Sequence, residues 1–111
     1  MQIRCVRVKL KLDSMDRVRE WQETMNRRRE EALQSMQEEG MVVESTFLEQ
    51  TTEGNFLIVI LIAKDFERAK EVGRFLTHSI DAYHRKFRDA VTLERTDLDL
   101  LVDFNRIEEG S

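Results

Sequence analysis

At 111 residues, with 36% charged and 7% aromatic side chains, the chain is sized for one domain with an aliphatic core under a heavily ionised surface. Its 22 acidic and 18 basic residues are spread along the chain and leave a net charge of −4, which argues against nucleic acid or an anionic membrane as main partner. The single cysteine, Cys5, excludes an internal disulfide, and Arg4 and Arg7 stand where a secretory leader needs apolar residues. A cytoplasmic protein is expected.

In chain order, residues 2–12 alternate: Val6, Val8, Leu10 and Leu12 on one side, Cys5, Arg7, Lys9 and Lys11 on the other. This is strand one. Asp13-Ser14 then supplies a cap for a helix over 15–39, whose stripe is Val18, Trp21, Met25, Ala32 and Met36 and whose stop is Gly40. Arg27-Arg28-Arg29 sits among Glu23, Glu30 and Glu31, as on a solvated salt-bridged face. Strand two covers 41–51 and turns at Glu53-Gly54.

The run Phe56-Leu57-Ile58-Val59-Ile60-Leu61-Ile62-Ala63 has no alternation at all and is too short to span a membrane, which takes about 20 residues. Its β-branched content and the preceding turn make it strand three, apolar on both sides. Asp65 caps a second helix carrying Phe66, Ala69, Val72, Gly73 and Leu76 inward. After a break at 77–79, Ser79 caps a further helix with Ile80, Tyr83, Phe87 and Val91. Strand four, over 97–105, sets Leu98, Leu100, Val102 and Phe104 against Asp97, Asp99 and Asp103. Residues 108–111 read as a disordered tail, which leaves one domain over 1–107.

The order β-α-β-β-α-β is the ferredoxin-like split arrangement: an α+β domain with an antiparallel-mixed sheet and helices on one face. Right-handed crossovers predict strands one and three parallel at the centre, with four and two at the edges. Arg7 and Lys9 would then face Asp99 and Asp103 across the sheet. One row of strand three stays uncovered by two helical segments, and soluble monomers rarely tolerate such a patch, so a homodimer through the sheet is expected.

Three segments carry a resemblance: Ile3-Arg4-Cys5-Val6-Arg7-Val8-Lys9-Leu10, Phe66-Glu67-Arg68-Ala69-Lys70-Glu71-Val72, and Thr77-His78-Ser79-Ile80-Asp81-Ala82-Tyr83-His84. They resemble a group of short bacterial proteins of unknown function in the dimeric α+β barrel superfamily, where two ferredoxin-like sheets pack face to face around a cavity. The resemblance implies a homodimer that binds a small molecule in a cavity between sheet and helices, or a cofactor-independent enzyme. Haem-degrading relatives carry a tryptophan on a strand, whereas Trp21 falls on a helix here, so no haem chemistry is carried over and no cofactor is expected.

The sharpest candidate ligand site is His78, Asp81 and His84, which fall within an arc of about 120° on one helix side. Two imidazoles and a carboxylate suit proton transfer or ligand binding. Ligands at i and i+6 spread too far for a metal, and helix capping accounts for Asp81 equally well. Tyr83 and Trp21, each an apolar body with a polar tip, and Arg7 on the polar side of strand one complete the candidate set. Cys5 is read as a small hydrophobe. Glycine-rich phosphate loops, CxxC pairs and a serine-histidine-acid signature are absent. The alternative to a small-molecule binder is a non-catalytic interaction module that dimerises through its sheet. An enclosed pocket lined by His78 or His84 would favour the binder, a dry interface the module.

Overall fold

The computed structural model describes residues 1–107; the tail expected over 108–111 lies outside them. Eight elements follow one another: β1 (Gln2–Leu10), α1 (Met15–Arg27), α2 (Arg29–Glu39), β2 (Met41–Thr51), β3 (Gly54–Ala63), α3 (Phe66–Gly73), α4 (Ser79–Val91) and β4 (Thr92–Asp97). The sheet order is β2-β3-β1-β4. Every ladder is antiparallel, including β1 with β3, which corrects the expected parallel pairing of these central strands. The general class, α+β with a four-stranded sheet covered by helices on one side, is as the sequence predicts. The β-α-β-β-α-β element order is not matched, because each helical stretch is two helices.

Period-2 alternation places Val6, Val8 and Leu10 of β1 on the helix side. There they join Leu57, Val18 of α1 and Val91 of α4 in a buried cluster, flanked by Met15, Leu48, Val59, Phe87 and Ala90. The space between sheet and helices is thus filled by side chains. Asp65 caps α3 as its composition predicts, accepting from the amides of Glu67 and Arg68. Gly40 ends α2 at φ 78°, the left-handed conformation that glycine enters without a Cβ clash.

Three boundaries differ from expectation. The first helix breaks at Arg28, so that α1 packs against α4 while α2 packs against α3, α4 and β2. Ser79 is not a capping residue: it begins α4, and His78 occupies the cap position without a side-chain bond. Strand four is short and early. Its ladder on β1 runs from Thr92 to Asp97, and after the Leu98 amide donates to the Cys5 carbonyl (2.9 Å), residues 98–106 have no strand structure. Leu98, Leu100, Leu101, Val102 and Phe104 are all exposed, Phe104 at 96%.

Candidate functional site

Two clusters hold the polar groups of the helical layer. In the first, Trp21 of α1 donates its indole N–H to Nδ1 of His84 on α4 (3.1 Å) and stacks on Phe87, ring centroids 4.7 Å apart. Burial pushes the His84 imidazole below its usual range, with Arg88 adding to the effect. An Nδ1 that accepts a hydrogen bond carries no proton itself, so the geometry and the shift agree on a neutral ring.

The second cluster joins α2, β2 and the start of α4. His78 Nε2 lies 2.6 Å from Glu38 Oε2, and this carboxylate holds the imidazole above its ordinary value. Ser35, buried on the inner side of α2, lies 2.5 Å from Asp81 Oδ2 and 3.1 Å from Glu39 Oε1. A hydroxyl has one hydrogen to give, so the second carboxylate faces a lone pair unless it carries a proton. Desolvation raises the Glu39 carboxyl, and the Ser35 hydroxyl works against that shift. Glu44 of β2 faces the same helices and is pushed up to about 7, first by desolvation and then by Glu39 and Asp81. Its residue as a whole stays exposed along the sheet's edge, while its carboxyl is crowded from above.

His78, Asp81 and His84 make their side-chain hydrogen bonds to three different partners, while Asp81 acts electrostatically on both imidazoles. His78 turns to α2, Asp81 to Ser35, and His84 to α1. Tyr83 is half-buried beside Arg28, whose guanidinium binds Glu31 (2.5 Å) and the Ser79 hydroxyl (2.8 Å). Two surface depressions, one lined by Gln2, Arg4, Asp65 and Phe66 and one by Glu67, Lys70, Glu71 and Arg74, touch neither histidine. Among the described residues no three histidine, cysteine or carboxylate groups converge in a metal-binding arrangement.

Arg7 belongs to a different surface, the side of the sheet without helices. As expected it faces away from Val6 and Val8, but its partner is not Asp99 or Asp103. It lies 3.7 Å over the Phe56 ring and donates to Glu49 of β2 (2.8 Å), because β4 ends at Asp97 and Thr96 stands opposite Arg7. Lys9 stands opposite Glu94. Beside this polar corner run Ile58, Ile60 and Ile62 of β3, with Val43 and Phe47 of β2. Phe56 and Ile62 are buried by their neighbours, Ile58 and Ile60 are half-covered, and Phe47 is 57% exposed.

Several of these residues escaped the sequence reading. Ser35 was detectable as a small polar residue three positions from Ala32 and one from Met36, on the inner side of an apolar stripe. Glu38, Glu39, Glu44 and Glu49 carry no local signal in a chain with 22 acidic residues.

Residues 1–109 match a sequence family described only as a family of unknown function, DUF6176. No curated protein matches the chain. No helix among the described residues is long and apolar enough to cross a membrane.

Proposed function

From the premise that this chain belongs to DUF6176, a family of unknown function, we propose that it acts as a homodimeric α+β module whose helix-free sheet face is the dimer interface. The observation that carries this reading is area. The chain's accessible surface is 8365 Å², against about 6,400 Å² for a compact monomer of its mass. The excess, roughly 1,900 Å² per chain, is of the size that obligate homodimers bury. Among the described residues, the apolar row of Ile58, Ile60 and Phe47 lies on the sheet face that no helix covers. Two such ferredoxin-like sheets packed face to face give the dimeric α+β barrel arrangement, here placed in the cytoplasm.

A small-molecule site remains part of this reading, in a changed place. The layer between sheet and helices is filled by the buried cluster. Polar groups that could orient a ligand next to apolar surface, namely Arg7, Glu49 and Lys9, stand instead on the open face, between the two sheets of a dimer. The segment from His78 to His84 serves to join helices.

Native mass spectrometry with light scattering tests both parts. At micromolar concentration the protein should give twice its 13.2 kDa chain mass. Ile60→Lys, which places a charge at the centre of the row, should give the single-chain mass with the fold intact by circular dichroism. A wild-type monomer would defeat the dimer, and a dimer that carries no additional mass from cell extract or from a metabolite panel would leave a purely structural module.

A further inference from the structure

We propose that residues 98–107 form an exchange arm, through which each chain lays an apolar strand against the open sheet face of a second copy. This rests on the homodimer reading and specifies what holds the dimer together.

Register comes first. Val6 pairs with Asp97, so an antiparallel continuation of β4 would set Leu101 against Gln2 and exhaust β1 there. Residues 102–107 have no strand of their own chain to join. The ladder in fact ends earlier, at the Leu98 amide. Ten residues in extended form reach about 33 Å, close to the longer dimensions of the whole molecule, 41 × 35 × 23 Å. The radius of gyration, 14.7 Å, exceeds the value of about 13 Å for a compact chain of this length.

Composition comes second. Asp97 shares the helix side with Val6, so in strand form alternation would set Leu98, Leu100, Val102 and Phe104 on the side of Ile58 and Ile60. The arm and the open face would then make one continuous apolar surface, with Asp99 and Asp103 on the other side keeping the arm's back wet. Arms that merely dangle are built from polar residues; this one carries six large apolar side chains in ten positions.

Residues 100–104 are not packed back onto their own sheet, since Leu100, Leu101, Val102 and Phe104 stay exposed. A second copy offers the missing surface.

The test separates the arm from the dimer. A chain ending at Asp97 should lose self-association, with the dimer dissociation constant rising on the order of a hundredfold or more, and Val102→Asp with Phe104→Asp should reproduce that loss at full length. For location, Asp103→Cys in a Cys5→Ser background is given a nitroxide and mixed with ¹⁵N-labelled Cys5→Ser chain. Amides of Phe47, Ile58 and Ile60 in the labelled chain should broaden. A truncated chain that still dimerises with native affinity, or a labelled chain whose Phe47, Ile58 and Ile60 amides stay sharp, overturns the arm and leaves the face-to-face dimer standing. A full-length monomer overturns both.

Discussion

Two histidines six residues apart in one turn-and-helix segment sit in opposite electrostatic settings. His78 gains a carboxylate partner and is raised; His84 loses water and is lowered. By linkage, the contribution of His78 is fully present below the ordinary imidazole value and is lost as pH rises through its higher folded one. That of His84 is present above the ordinary value and lost as pH falls through its lower one. We expect NMR titration to place the two ring signals on opposite sides of about 6.5. Glu38→Gln should bring His78 back toward that value and leave His84 where it is. Coincident titrations would contradict both assignments.

Glu44 extends the same reasoning to a carboxyl. Raised to about 7, it keeps its proton in the folded chain where the unfolded chain has released it. Its effect is neutral below the ordinary carboxylate range, and stability falls as pH rises from there through about 7. Glu44→Gln, which cannot ionise, should flatten that decline. Thermal melts between about pH 5 and pH 8 would read it as a variant no more stable than wild type at the acid end and more stable at the alkaline end. Glu39 acts in the same direction, since desolvation raises its carboxyl and the nearby Asp81 adds to the effect, while the Ser35 hydroxyl opposes it.

Elements in this chain are short, and their ends carry a large share of their definition. The helix α3 has eight residues, below the length at which propensity alone sustains a helix in water. Its start depends on Asp65, whose carboxylate takes two of the amides that a first turn leaves unpaired. Asp65→Ala should therefore lower stability by about 1 kcal/mol, read from urea unfolding, and should speed amide exchange at Glu67 and Arg68 before it affects β3. An unchanged midpoint would mean that Ala69 and its neighbours hold the helix without the cap. The break at Arg28 follows from packing: α1 and α2 lie on different partners, and Arg28 bridges the junction to Ser79 at the start of α4.

For the molecule as a whole, the sheet is asymmetric in what covers it. One side carries four helices over a filled core; the other carries β3's second apolar row, a stacked Arg7–Phe56 pair and an arm that leaves its own sheet. This uncovered apolar surface is what the proposed homodimer would bury. The mass of the wild-type assembly and of Ile60→Lys decides whether the face is the interface. The truncated chain decides how much of the association the arm supplies.

Local rules were legible in the residues. The alternation of β1 correctly separates Val6 and Val8 from Arg7 and Lys9, Asp65 and Gly40 mark their helix ends, and the unalternated β3 reads at once as a strand with an apolar row on each side. These signals have periods of two to four residues, so neighbours in the chain suffice to state them. Partners are another matter. Trp21 meets His84, Ser35 meets Asp81 and Arg7 meets Glu49 across 63, 46 and 42 residues. Those meetings depend on how helices cross and on which strand lies beside which, and residue type constrains neither in a chain this rich in charge. The arm shows the same limit most plainly. Alternation over 97–105 says that the segment is built to be a strand, but a strand needs a neighbour, and β1 ends before the arm does.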